Sequence, residues 1–154
     1  MILVDTSVWV EHFRGTLRAG DLAELLEANL VLLHPWVVGE LALGGLGPRP
    51  RSVIADLNLI PAAPRVPDGE VLDLILDRGL SGRGIGWVDA HLLASALVAA
   101  SELWTLDAGL AREARRLPAC VRFRRPRRRA SVRGTWTGLP AGFSRFGFRP
   151  TATL

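Results

Sequence analysis

The sequence predicts an α/β protein, a short parallel sheet covered by helices on both faces, followed by a basic C-terminal extension. Three observations predict it. Runs such as Ile2-Leu3-Val4 and Leu103-Trp104-Thr105-Leu106 are short and apolar throughout, the pattern of strands buried on both faces. Segments with apolar residues at helical spacing stand between such runs. Strand and helix therefore alternate along the chain, which is the order that places helices against a parallel sheet.

Ile2-Leu3-Val4 reads as the first strand and ends at Asp5. Thr6 or Ser7 is expected to cap a helix carrying Val8, Trp9, Val10 and Phe13, stopped by Gly15. Asp21 opens a second helix with Leu22, Leu25 and Leu26 on one face, closing near Asn29. Leu30 to Leu33 is a second strand. Pro35 suits the first position of a third helix, which runs through Glu40 to Gly44-Gly45. Ser52 to Asn58 is expected to be helical and Leu59-Ile60 a brief strand, with Pro61, Pro64 and Pro67 marking loop. Asp68 to Arg78 makes a helix with Val71, Leu72, Ile75 and Leu76 expected inward, and Gly79 ends it. Gly82, Gly84 and Gly86 form a flexible approach to a long helix from about Trp87 to Ala100. Leu103 to Leu106 is a strand ended by Asp107, Ala108 to Leu117 is helical, and Cys120 to Phe123 is the last expected strand.

The chain has 154 residues, 49% of them apolar, which suits one domain with a sizeable core. The uncharged stretch Ala90 to Ser101 is shorter than the roughly 20 residues a membrane helix needs. Met1-Ile2-Leu3-Val4-Asp5 lacks the basic leader of a signal peptide, so a cytoplasmic protein without membrane association is expected. A single cysteine, Cys120, excludes an internal disulfide or a cysteine-built zinc site. The net charge of +4 conceals a split. Up to Glu113 there are 15 acids against 8 arginines, a net charge of −7; from Ala114 onward there are 11 arginines and no acid. No lysine occurs. A boundary is expected near 124–130, giving a domain over 1–125 and a poorly ordered Arg/Gly/Pro-rich tail over 126–154.

Ligands of open parallel sheets bind beyond the carboxyl ends of the strands. Asp5 and Asp107 end strands there, Asp89 lies in the first turn of the long helix, and Glu40 is the only acid in Pro35 to Leu43. Alone, each has a plainer reading: a helix cap for Asp5 or Asp107, a complement to the helix dipole for Asp89, a solvent-facing acid for Glu40. Converging, the four would repel one another, and hard oxygen-seeking cations such as Mg²⁺ or Mn²⁺ resolve that repulsion. Such ions can activate water and stabilise a phosphodiester undergoing in-line displacement.

Ile2 to Trp9, Val37-Val38-Gly39-Glu40-Leu41, Gly86-Trp87-Val88-Asp89-Ala90-His91-Leu92-Leu93-Ala94 and Leu103 to Asp107 occur in series. This arrangement resembles the PIN-domain ribonucleases and, more narrowly, the VapC-type toxins of toxin–antitoxin pairs, over about Met1 to Arg124. The resemblance implies a PIN-like three-layer α/β/α fold and metal-dependent endoribonuclease activity, with Asp5, Glu40, Asp89 and Asp107 holding Mg²⁺ or Mn²⁺. It implies a metal-bound water as nucleophile, leaving a 5′-phosphate and a 3′-hydroxyl. Thr6, Ser7 and Thr105 match hydroxyl positions beside those acids, as groups that orient the ligands or contact phosphate. It further implies an RNA substrate, a cognate antitoxin and a homodimer.

Other sites fit less well. An aspartate-nucleophile phosphatase wants a second Asp where Ser7 stands and a lysine the chain lacks; the same lack removes a Gly-x-x-x-x-Gly-Lys phosphate loop. Gly82-Arg83-Gly84-Ile85-Gly86 has the wrong spacing for a dinucleotide fingerprint and reads as a hinge or plain linker; Arg83 in it is a candidate RNA contact or a solvated side chain. His12, His34 and His91 show no ligand spacing, and His91 reads as packed or surface-exposed. Arg124, Arg125, Arg127, Arg128 and Arg129 form a dense cluster, followed by arginines interleaved with Trp136, Phe143, Phe146 and Phe148. That chemistry suits single-stranded RNA, an acidic antitoxin segment, or no selected contact at all. A non-catalytic nucleic-acid-binding protein on the same scaffold, or a nuclease outside any toxin pair, are the rival functions.

Overall fold

A computed structural model describes residues 1–17 and 21–117. The expected strand over Cys120 to Phe123, the arginine cluster and the tail lie outside the described residues. β1 (Ile2–Val4) is central, with β2 (Val31–Leu32) and β3 (Glu102–Trp104) parallel on either side. Ile2 and Leu3 face Val31 and Leu32 in register, and Ile2, Leu3 and Val4 face Glu102, Leu103 and Trp104. Successive strand residues point to opposite faces, yet Ile2, Leu3 and Val4 are all buried, so both faces of the sheet are covered. Seven helices accompany it among the described residues: α1 (Thr6–Phe13), α2 (Asp21–Glu27), α3 (Pro35–Gly44), α4 (Pro50–Leu57), α5 (Asp68–Asp77), α6 (Trp87–Val98) and α7 (Ala108–Ala114). The α/β architecture with a short parallel sheet is as expected. No helix of the described residues is long and apolar enough to cross a membrane.

Helix α6 is the most deeply set element. Every residue from Ala90 to Ala96 is buried, and a helix wrapped on all sides needs apolar residues all round rather than one stripe. Its Leu92, Leu93 and Ala96 join the core formed by Leu3, Val4, Val8, Trp104 and Leu110.

Four expectations need correction. The cap of α1 is Asp5, not Thr6 or Ser7: its carboxylate accepts the Ser7 N–H at 3.3 Å. Leu59-Ile60 is not a strand, because the two N–H groups turn back to the Asp56 and Leu57 carbonyls as α4 unwinds. Pairing waits until Pro61 has passed, and appears as a single bridge between Leu33 and Ala62. The strand expected over Leu103 to Leu106 begins at Glu102 and ends at Trp104, since hydroxyls claim the next donors: Leu106 N–H goes to Ser7 Oγ and Asp107 N–H to Thr105 Oγ1, each at 3.0 Å. On α5, Val71, Leu74 and Ile75 pack inward, but Leu72 and Leu76 are exposed. Those two lie one turn apart on a neighbouring stripe, which α6 does not cover.

His34 caps α3, and it must be neutral to do so. Its Nδ1 accepts the Trp36 N–H at 3.2 Å, so that nitrogen keeps its lone pair and the proton sits on Nε2. Burial, then the nearby His91 and Arg65, hold the imidazole down to about 4 from its ordinary 6.5. A group whose folded value is depressed gives no penalty above pH 6.5 and costs stability as pH falls from 6.5 toward 4, where the unfolded chain alone binds the proton. Over that window the loss is on the order of 3 kcal/mol. Burial lowers His12 as well, in the same direction. Urea unfolding measured between pH 7 and 4 will show stability falling with pH, and His34→Asn, which keeps a capping acceptor that does not titrate, will flatten the His34 share of the slope.

Candidate functional site

The site begins where the sheet ends. The Asp5 N–H makes the last rung to the Trp104 carbonyl at 2.9 Å, and α1 starts with the next residue. Asp5 is only 5% exposed, and its Oδ2 takes hydrogen bonds from the Ser7 N–H, the Ser7 hydroxyl and, at 2.7 Å, the Thr105 hydroxyl. Thr105 Oγ1 in turn accepts the Asp107 N–H. One hydroxyl therefore ties the ends of β1 and β3 together and sets two acids beside each other. Asp107 caps α7, its Oδ1 accepting the Leu110 N–H at 2.7 Å.

The other two acids come from helices. Asp89, in the first turn of α6, reaches back with Oδ2 to the Gly86 N–H at 2.8 Å. Glu40 lies on α3, where Oε2 accepts the Thr6 hydroxyl of α1. The four carboxylates feel one another. Asp89 is raised above the ordinary carboxylate value by burial first; the Gly86 bond opposes this, and the charges of Asp5, Asp107 and Glu40 add to the rise. Sequence reasoning placed Asp5 and Asp107 at the strand-end edge, and the fold brings those two and Glu40 within electrostatic reach of Asp89. The plainer readings also hold for Asp5 and Asp107, which do cap helices.

Each carboxylate has one oxygen fixed by hydrogen bonds and, among the described residues, a second oxygen that receives none. No arginine of the described residues pairs with any of them. Among the described residues no three His, Cys, Asp or Glu side chains already stand close enough to hold a metal ion. The donor chemistry nonetheless fits a hard divalent cation: free carboxylate oxygens, pre-oriented by their partners, with uncompensated repulsion between them.

Arg83 is turned elsewhere. Its Nε donates to the Gly79 carbonyl at 2.6 Å and lies 3.8 Å from a Glu113 oxygen. Glu113 was not singled out in the sequence, yet it is wholly buried and gathers Arg83, Arg112 and Arg116, while Arg112 also donates to the Arg83 carbonyl. The knot fastens the glycine loop to α7. The approach is close: a Cβ at Gly109 would stand 3.2 Å from the Gly84 carbonyl oxygen and 3.0 Å from Asp107 Oδ1, so only glycine leaves both in place. A sequence signal for Glu113 existed. Leu110, Glu113, Ala114 and Leu117 recur at helical spacing, which puts the acid on the apolar face. Arg124, Arg125, Arg127, Arg128 and Arg129 lie outside the described residues. His91 is buried, as one of its two readings had it.

The model of the PIN domain family matches residues 2–116. The chain is 52% identical over 112 residues to Ribonuclease VapC32 of Mycobacterium tuberculosis, in both strain CDC 1551 / Oshkosh and strain ATCC 25618 / H37Rv. The alignment covers 70% of this chain and 85% of that protein.

Replacing Glu113 by Ala tests the knot. Breaking a pair buried on both sides costs about 3–5 kcal/mol. Here the three guanidiniums are 39–54% exposed and return to water, so about 1–3 kcal/mol is expected in urea unfolding. Hydrogen exchange over Gly82 to Gly86 will quicken in the same variant.

Proposed function

This chain belongs to the PIN-domain family, and from that premise we propose that it is a divalent-cation-dependent endoribonuclease and the toxin of a VapBC-type pair. One observation carries the reading: acids from four separate segments, Asp5, Glu40, Asp89 and Asp107, bear on one another, each with an oxygen left free. These residues would hold Mg²⁺ or Mn²⁺. A bound cation supplies the Lewis acidity that activates water and offsets charge developing on the phosphodiester.

The chain's own groups do the positioning. Thr105 and Ser7 fix Asp5 from β3 and α1, and Thr6 fixes Glu40 across the α1–α3 contact. The Gly86 N–H stabilises the charged form of Asp89 against the repulsion that favours its neutral form. With the four acids free of arginine, an RNA phosphate is repelled unless a cation is present, so cleavage depends on metal. Arg124 and Arg125 at the domain's end and Arg127, Arg128 and Arg129 of the tail are proposed RNA contacts; Arg83, in part exposed beside Glu113, is a lesser one. The relative's name supports the ribonuclease assignment, and a cognate antitoxin as partner belongs to the same proposal. A homodimer belongs to the same proposal, with exposed Leu72 and Leu76 as apolar surface for a second copy to cover.

Asp5→Asn and Asp89→Asn are each expected to lower RNA cleavage by roughly 100-fold or more with the circular dichroism spectrum kept. EDTA will abolish cleavage, and Mg²⁺ or Mn²⁺ will restore it. Unchanged cleavage in either variant rejects the site. RNA binding without any cleavage favours the non-catalytic alternative. Removing residues 126–154 takes away six arginines, and if all contact phosphate the salt slope of single-stranded RNA binding will flatten by up to about 4. An unaltered slope removes the tail from the interface.

A further inference from the structure

Trp9 and Trp104 are buried in the core, but Trp36 and Trp87 are 39% and 40% exposed. Large aromatic rings left in water beside a polar site call for an explanation beyond packing. Both rest on one side chain. The Trp87 ring meets His91 edge-on with centroids 4.6 Å apart, and the Trp36 ring lies 5.8 Å from the same imidazole. His91 is 2% exposed, backed by His34 at 6.1 Å, with Nε2 lying 3.5 Å from an Asp68 oxygen. It is a buried floor that both indoles contact. The Arg65 guanidinium stands 5.9 Å from the centroid of Trp36.

Their placement ties the patch to the acids. Trp36 is four residues before Glu40 on α3, hence one turn away on the same face. Trp87 opens α6 two residues before Asp89, on the side of the helix that it shares with His91 one turn on, not on the Asp89 side. Trp36 therefore shares its helix face with Glu40, and Trp87 joins it through their common contact with His91.

We infer that Trp36, Trp87 and Arg65 form a nucleobase subsite, which stacks an unpaired base of single-stranded RNA next to the phosphodiester at the acids. The inference rests on the ribonuclease reading and names how its substrate is gripped. Indole faces stack any base, and a guanidinium beside the ring adds cation–π attraction and a positive charge for the neighbouring phosphate. Bases of a duplex are already stacked and paired, so such a subsite selects loops and single strands.

The test uses the full chain carrying Asp5→Asn, so that the probe survives, and a fluorescent single-stranded RNA oligomer followed by anisotropy. Trp36→Leu and Trp87→Leu are each expected to weaken binding roughly ten- to a hundredfold, with Trp36→Phe and Trp87→Phe largely restoring it. A single abasic nucleotide moved along the oligomer will weaken binding at one position, and that loss will vanish in the double Leu variant. Leu variants that bind like the parent, or an abasic loss that persists in the double variant, overturn the subsite. So does a loss of antitoxin binding with RNA binding unchanged, which would make the patch a protein-docking surface. The two readings separate in the chain with Asp5 intact. If it cuts RNA and the Trp variants bind normally, the subsite alone fails; if it neither cuts nor binds RNA, the ribonuclease reading fails and the subsite with it.

Discussion

Four like charges drawn from four parts of the chain and held within reach of one another, with no basic side chain among them, set the terms for the rest of this structure. Such an arrangement opposes the charged form of half-buried Asp89, which is raised by burial first and then by the charges of Asp5, Asp107 and Glu40. It persists because every acid is tied to a donor that is itself fixed in secondary structure. The Ser7, Leu110 and Gly86 amides belong to helix starts, the Thr6 hydroxyl to the first residue of α1, and the Thr105 hydroxyl follows the end of β3. The bonds that cap α1 and α7 are the same bonds that aim Asp5 and Asp107. Capping and site geometry are one set of interactions here, so a substitution that spares stability by keeping the cap can still remove a ligand charge.

That economy explains what could be read in the sequence. Asp5 was legible because an apolar run ended on an acid and a helical pattern followed, and the parallel-sheet rule then put Asp107 at the same edge. Asp89 and Glu40 were legible as acids in otherwise apolar helical stretches. The convergence of all four was not legible from spacing alone, since it depends on β1 lying between β2 and β3 and on α3 packing against α1. Only the resemblance to PIN-domain proteins linked the four blocks before the fold did.

The misses have a common physical origin in where backbone donors go. Thr105 and Leu106 have strand-like side chains, but the hydroxyls of Ser7 and Thr105 capture the amides of Leu106 and Asp107 and end the ladder at Trp104. Leu59 and Ile60 look like a strand, yet their amides finish the preceding helix. Leu72 and Leu76 fit an inward face by composition, and only the position of α6 decides which of two adjacent stripes is covered. Glu113 was not singled out, although it shares helical spacing with Leu110, Ala114 and Leu117 on the apolar stripe. These are tertiary choices between locally equivalent options, and pattern reasoning does not rank them.

The charge split along the chain now has a structural sense. In the acidic body, arginines near the site are already committed: Arg83 and Arg112 converge with Arg116 on the buried Glu113, and Arg14 lies 3.5 Å from Glu11. Their positive charge is drawn toward structural acids and away from Asp5, Glu40, Asp89 and Asp107. Were one of these guanidiniums to fall instead among the four, it would neutralise them, lower Asp89, and occupy the place a divalent cation needs. Glu113 therefore both fastens the glycine loop and takes up three guanidiniums that pair with none of the four acids. On the proposed function, an anionic substrate would need attraction supplied from elsewhere, by a bound metal, by Arg65 beside Trp36, and by the arginines beyond Ala114. The body's net charge of −7 and the +11 from Ala114 onward are opposite in sign along one chain, and under the proposed function the first would call for cations and the second would meet RNA phosphate.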